Sequence, residues 1–451
     1  MNKIFMFIFL PLLIFANPNI DWYEEYNGSG EESHGHYILH CDDGGFLQIG
    51  ETNTYSNPVS AKMYIVKTNS NGNILWSREI NNGNHNLGNS AIELNDGYLI
   101  SGALNRNSAL IKLDKQTGST LFIQTFNNGG TDAFEHAAVI PNGIVAVGYV
   151  YAQDPNNTFY TEGQGYISFL DMEGNQITSM NLSSYISQAY RIKYINNELI
   201  ISGLTEEALD YKVIKMSIEG DVMWHQSYGG NNSDHCFGMD INSNGDIFLA
   251  GHTLSGTDNW DTYTIKLDNN GTVLWEQKVG NPRGFNPNFI HDEAWGIKAT
   301  NDGGCVTIAG TGDEYNYSEC NGNDCSDTWN AYLIKFNNEG IVEYETTFSS
   351  LDIYNFAYDW AGEDIDLTDD GGAIIAIDSG QFGFLKISNV QNSIIGDFNN
   401  DSIVNVLDVI LLVNYILTPE LLELNGADIN FDGEANILDI INFINIILNT
   451  L

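Results

Sequence analysis

The sequence predicts an all-β, seven-bladed β-propeller followed by a small α-helical, calcium-binding module. Three observations carry this: a pattern that recurs seven times, a lone strand ahead of the first copy, and two carboxylate-rich loops close to the end. Sustained repetition at a fixed period marks an architecture built from one supersecondary unit.

Each copy contains a glycine turn, an apolar strand ending in Gly or Thr, a second strand ending near Lys, an Asn-Gly turn and an aromatic residue. The first copy shows Asp43-Gly44-Gly45, then FLQIGET, then a strand ending at Lys67, then Asn71-Gly72 and Trp76. Turns recur at Asp96-Gly97, Asn142-Gly143, Asn197, Asn244-Gly245, Asp302-Gly303 and Asp370-Gly371. Lysines end the corresponding strands at Lys112, Lys215, Lys266, Lys335 and Lys386. Copies of about 46 to 68 residues with alternating apolar positions and Asx-Gly hairpins read as four-stranded propeller blades. The seventh copy stops at Leu385-Lys386-Ile387 without its aromatic strand, whereas Ile20-Asp21-Trp22-Tyr23 stands alone. Pairing this strand into the last blade closes the ring and removes its open edges. The propeller is therefore expected over residues 17–390.

A residue present in nearly every copy serves the blade. The six lysines are expected to lie along their blades and pair with carboxylates, and turns such as Asp268-Asn269-Asn270-Gly271 are expected to be hairpins rather than cation loops. What differs between copies is the place to look for function. Trp22, Trp76, Trp224 and Trp275 occupy the repeated strand, but Trp260, Trp295, Trp329 and Trp360 do not. These four fall in copies five to seven, with Phe285, Phe289, Tyr315 and Tyr317, and are candidate ligand-binding residues. Aromatic faces offer flat apolar area with little entropy to lose, which suits sugar rings or a protein partner.

In the last 55 or so residues a pattern of six oxygen-bearing loop positions occurs twice. The first copy runs Asp397, Asn399, Asp401, Ile403, Asn405 and Asp408; the second runs Asp428, Asn430, Asp432, Glu434, Asn436 and Asp439. Ile403 and Glu434 stand where the backbone carbonyl is the ligand, and Gly433 fits the sharp turn, a place that Ser402 takes in the first loop. Two loops of this composition predict two bound Ca2+ ions. Both end in Asp rather than the usual Glu. In this they resemble type I dockerins, the modules that attach proteins to cohesin-bearing scaffolds, over about residues 396 to 449. The resemblance implies a cohesin-like partner, with Val406, Leu407, Ile437 and Leu438 at the positions that select it. All four are apolar, unlike the Ser-Thr pairs of well-known dockerins. Helical spacing at Val406, Val409, Ile410 and Val413, and at Ile437, Ile440, Ile441 and Ile444, predicts two helices packed together through at least half of these residues. A linker at 391–395 separates this domain, 396–451, from the propeller.

Lys3 precedes an apolar run from Ile4 to Ala16, the length of a signal-peptide core and too short to span a bilayer. Residues 1–16 are therefore expected to be a signal peptide and the protein to be secreted, extracellular or on the cell surface, without membrane insertion. With 59 acidic and 17 basic residues the net charge is −42, which excludes a nucleic-acid partner and raises the local concentration of cations. Of five cysteines, Cys320 and Cys325 in a polar loop are the expected disulfide; Cys236 and Cys305 read as strand residues, and their state and that of Cys41 stay open, buried thiols being one reading.

No nucleophile elbow, zinc motif or phosphate loop appears, so no catalytic residue is assigned. His34, His235 and the triplet His291-Asp292-Glu293 precede glycine turns in equivalent strands and are read either as channel-lining groups or as residues that begin each blade. Two functional readings follow. One is a secreted propeller that binds a glycan or protein and is docked through its calcium module, taking part in polysaccharide breakdown. The other is a dockerin-bearing polysaccharide-degrading enzyme, a glycoside hydrolase or lyase, active in the propeller. Convergent channel carboxylates favour the second, and rim aromatics without paired acids the first.

Overall fold

The computed structural model describes residues 18–54, 57–152, 163–205, 209–391, 398, 406–417, 429 and 435–450. The chain divides into two compact units, Ile20–Ser388 and a second that includes Asn389–Leu451. The first is a propeller of seven four-stranded sheets. Blades one to six occupy 32–80, 87–126, 131–181, 188–228, 234–279 and 290–348. In the seventh, the strands Ala361–Leu367, Ala373–Asp378 and Phe382–Ser388 are joined by the N-terminal strand Asn19–Tyr26, the closure expected from the lone Trp22 segment. Tyr23 of that strand is buried against Trp360, with ring centroids 4.1 Å apart, and Trp22 reaches Phe46 of blade one at 5.7 Å.

Three devices explain the repeat. First, each strand-terminal lysine runs inside its blade and pairs with a carboxylate beside the preceding turn. Lys67 meets Asp43 at 2.9 Å, Lys112 meets Asp96 at 2.8 Å, Lys215 meets Glu198 at 2.6 Å, Lys266 meets Asp246 at 3.2 Å, Lys335 meets Asp302 at 2.6 Å, and Lys386 meets Asp370 at 2.9 Å. A buried ammonium needs such a partner, so the lysines belong to the fold. In blade three Phe169 stands at this register position.

Second, the Asx turns tie themselves up. Asp268 Oδ1 accepts the N–H groups of Asn270 and Thr272, both at 2.8 Å, which makes this loop a hairpin as expected. The aromatic of one blade then covers the turn glycine of the next: Trp22 lies over Gly72, Trp76 over Gly118, Trp224 over Gly271 and Trp275 over Gly340. At Gly118 (φ +64°) an added Cβ would stand 2.5 Å from the Trp76 ring. Gly118→Ala is therefore expected to cost about 1–3 kcal/mol beyond φ strain. Thermal melts beside Gly129→Ala, whose φ of +94° is also left-handed but whose added Cβ meets nothing within 4 Å, isolate that extra loss; equal shifts in the two variants would refute the contact.

Third, a backbone bond stitches neighbouring blades near the start of each innermost strand. Examples are Asp132 N–H to Arg106 carbonyl (2.9 Å), Asp292 to Trp260 (2.8 Å), Trp360 to Trp329 (2.8 Å) and, closing the ring, Ser33 to Gly380 (2.9 Å).

In the second unit, α1 (Val406–Leu417) and α2 (Ile437–Thr450) enclose Leu412, Ile429 and Phe443. The packed stripe falls on Val409, Leu412 and Ile416 and on Ile440, Phe443 and Ile447. Of the eight apolar residues expected to hold the helices together, only Val409 and Ile440 join this cluster. Val406, Ile410, Ile437, Ile441 and Ile444 are exposed instead, because i, i+3, i+7 spacing from Val409 and Ile440 turns them outward. Among the described residues no helix is long and apolar enough to cross a membrane. The expected signal peptide, residues 1–16, lies outside the described residues, as do 392–395 of the expected linker.

Candidate functional site

Apart from a second irregularity between Thr131 and Ala133 in blade three, the innermost strand of each blade pairs with its neighbour in regular register except at one place. There a bulge inserts one extra residue: His36, Asn89, Glu135, Tyr190, Phe237, Trp295 and Glu363 in blades one to seven. A bulge re-aims the side chain of its extra residue. All seven side chains thereby line one cavity of about 140 Å³ in the central channel, together with Glu51, Leu87, Tyr149 and Arg191. The ring has two arcs. Tyr190, Phe237 and Trp295 follow one another on blades four to six, with Phe237 and Trp295 centroids 4.3 Å apart. Glu363, His36, Asn89 and Glu135 complete the circle on blades seven, one, two and three.

The polar arc is electrostatically uneven. His36 Nε2 lies 2.6 Å from Glu51 Oε2, and His34 Nδ1 lies 2.8 Å from Asp378. Burial opposes the charge on both imidazoles, but the carboxylates outweigh it and raise His34 to about 10 and His36 to about 9. Burial pushes the Glu135 carboxyl up to about 7, and burial together with the Asp378 charge pushes Glu363 up to about 8. Three positions further along the inner strands, Lys193 bonds Asp240 at 2.7 Å and Lys298 bonds Asp366 at 3.0 Å. These ion pairs tie blade four to five and blade six to seven, and only about 10 Å³ of space stands beside them.

Of the four tryptophans singled out in the sequence, Trp295 alone lines this cavity. Trp260 lies against His235, centroids 4.6 Å apart, and its carbonyl belongs to the inter-blade stitch. Trp329 covers Gly310 and Gly312, and Trp360 is wholly buried under Tyr23. The histidines divide similarly. Asp292 begins its blade, accepting Asn281 N–H at 2.7 Å, and burial lifts its carboxyl to about 7. His291 bonds Glu293 at 3.2 Å, and His235 Nδ1 lies 3.1 Å from His252. Burial, reinforced by mutual repulsion, pulls His235 down to about 3. Cys320 and Cys325 form a disulfide across a two-strand hairpin, while Cys41, Cys236 and Cys305 are buried thiols.

His36, Asn89, Glu135, Tyr190, Phe237 and Glu363 were not singled out by sequence reasoning. The signal was present: aligned on the inner strands, the copies read His, Asn, Glu, Tyr, Phe, Trp, Glu at one position, whereas the position before it stays small or apolar in every copy.

In the C-terminal unit, Asp397, Asn399, Asp401, Ile403, Asn405, Asp428, Asn430, Asp432 and Glu434 lie outside the described residues. Asp408, Asn436 and Asp439 are described. Asp408 and Asp439 are buried in the first turns of α1 and α2 and accept the N–H groups of Phe398 (2.8 Å) and Asn436 (2.7 Å). Buried carboxylates in oxygen-rich loops are the donor chemistry of a hard cation and fit calcium. Val406 and Leu407 are 66% and 53% exposed, and Ile437 and Leu438 66% and 52%, so the two helices present matching apolar corners.

The first unit is similar to solved propellers. A catalytically inactive virginiamycin B lyase from Staphylococcus aureus, in complex with quinupristin, is 14% identical with a TM-score of 0.52, covering 81% of this chain and 99% of that one. The WD40 β-propeller domain of Doa1 is 10% identical with a TM-score of 0.49, covering 83% of this chain and 98% of that one. At such identities the likeness concerns fold alone. No protein of curated function matches the sequence. Residues 395–448 match the dockerin type I domain. The chain is a seven-bladed propeller that carries a type I dockerin, a module that binds calcium and implies a cohesin partner in extracellular, cell-surface assemblies.

Proposed function

We propose that this is a docked recognition protein. Its channel cavity takes a unit of a glycan, or a side chain of a protein, and its dockerin fastens it to a cohesin-bearing assembly that takes part in polysaccharide breakdown. The observation that carries this reading is the ring of seven bulges. A bulge in every blade aims a chemically different side chain at one cavity, and an aromatic wall facing planar polar groups is the composition of a ligand site. The apolar corners at Val406-Leu407 and Ile437-Leu438 are the proposed cohesin contacts, two Ca2+ ions the proposed occupants of the loops, and residues 1–16 the proposed export signal. The domain limits of 17–390 and 396–451 belong to the same reading.

A second reading has its own support. Glu135 and Glu363 sit in the cavity with carboxyl groups raised toward neutrality, the condition of a general acid, so the cavity is also the place where a dockerin-bearing glycoside hydrolase or lyase would act. A glycan-array screen of the full-length protein, with reducing-sugar release measured on every hit, tests both. Binding without release is the expected result. Release abolished by Glu135→Gln would replace recognition by catalysis, and an array without hits would remove the glycan from the proposal.

A further inference from the structure

The two carboxylates at the ends of the polar arc are set apart from the rest of the ring. Glu51 is neutralised by His36. The Arg191 guanidinium donates to the Tyr190 carbonyl at 3.3 Å and lies over the Tyr37 ring, 5.7 Å from its centroid. Glu135 and Glu363 have no hydrogen-bond or ion-pair partner among the described residues, although both line the cavity. Their places in the ring matter. Glu135 is next to Tyr190 and Glu363 is next to Trp295, so each end of the aromatic wall finishes in a carboxylate without a contact partner, on which Arg191, His36 and His34 act only through space and do not offset the cost of burial.

We propose that the cavity selects its ligand by a cationic nitrogen, the free ammonium of an amino sugar, held by Glu135 or Glu363 while the sugar face lies on Phe237 and Trp295. This rests on the glycan reading above and narrows it. A half-buried carboxylate without a partner is costly to ionise, and an arriving ammonium supplies the missing charge. The same ammonium gains from the negative faces of the adjacent rings. The net charge of −42 draws cations toward the protein from a distance. A neutral sugar would use the rings and leave both carboxylates without a contact partner.

Isothermal titration of the full-length protein with glucosamine oligosaccharides, their N-acetylated forms and neutral gluco-oligosaccharides tests this. The glucosamine series is expected to bind at least about tenfold more tightly than the other two, the effect of one charged hydrogen bond. Glu135→Gln and Glu363→Gln are each expected to shrink that preference, with Tm unchanged or raised because a half-buried carboxyl that is costly to ionise has been removed. Equal affinity for free and acetylated amines overturns the cation and leaves the glycan standing. Binding of a simple alkylammonium but of no sugar overturns the glycan reading, and with it the amino sugar. A preference unchanged in both Gln variants overturns the assignment of the residues.

Discussion

Deleting residues 18–26 is expected to abolish the cooperative folding of the propeller. The strand Asn19–Tyr26 is the fourth of blade seven, and its side chains reach two blades. Tyr23 covers Trp360, Tyr26 meets Phe384 at 5.8 Å and donates its hydroxyl to the Gly72 carbonyl at 2.6 Å, and Asp21 lies 3.3 Å from Lys386. Truncating one buried aromatic costs about 3–5 kcal/mol, and the deletion removes two tyrosines, Trp22 and a ladder of backbone bonds together. Against a typical net stability of about 5–15 kcal/mol, that loss is decisive. It also bares the strand Phe382–Ser388 as an apolar edge that invites association. Calorimetry and size-exclusion chromatography check this: loss of the sharp transition and growth of aggregates are expected. A melt within a few degrees of the intact chain would mean that the ring holds without its closure. Deleting residues 396–451 is expected to leave the propeller transition in place.

Removal of calcium has the second-largest expected effect, confined to the other unit. Among the described residues the core of α1 and α2 is Leu412, Ile429 and Phe443 with a few half-buried neighbours, and a module of about 55 residues has little core with which to hold on its own. Asp408 and Asp439 are buried carboxylates, and without a cation in the loops their charge opposes the fold. In the full-length protein, hydrogen exchange with and without a chelator is expected to show protection of 406–417 and 437–450 lost on chelation and recovered on adding calcium. The strands should not change. Asp408→Ala is expected to reproduce the loss in calcium. Equal protection of both helices with and without chelator would uncouple folding from the metal.

The fold was legible because a propeller writes its architecture in repetition. Glycine turns, terminal lysines and strand-ending aromatics recur since each serves a contact every blade makes: Lys67 needs Asp43, and Trp76 needs the bare face of Gly118. Even ring closure could be read from one misplaced tryptophan. The cavity was harder. Its residues share a position but no chemistry, and a bulge leaves no fixed residue type in a sequence. Attention to unrepeated tryptophans recovers Trp295 and also takes in Trp260, Trp329 and Trp360, which lie against histidine, cover glycine backbone or fill a blade. Large aromatics that vary between blades also fill gaps between them, and only the bulge register separates the two roles. The helix stripe differs from the expected one for a related reason: alternative apolar stripes fit the same periodicity, and the buried one is decided by Leu412 and Phe443, which lie between the residues of the expected stripe.

The closure strand has a mechanical consequence. A propeller fastened through its C-terminal module feels any pull on the anchor at Ser388, the end of a strand that lies between Ala373–Asp378 and Asn19–Tyr26 rather than on an edge. An edge strand peels away under tension one bond at a time. This strand is clamped by a ladder on either side, and Lys386 grips Asp370 on one and Asp21 on the other. The first strand of the propeller therefore braces its last, and the blade from which the chain continues resists extraction more strongly than it would if its strands were used in sequence order.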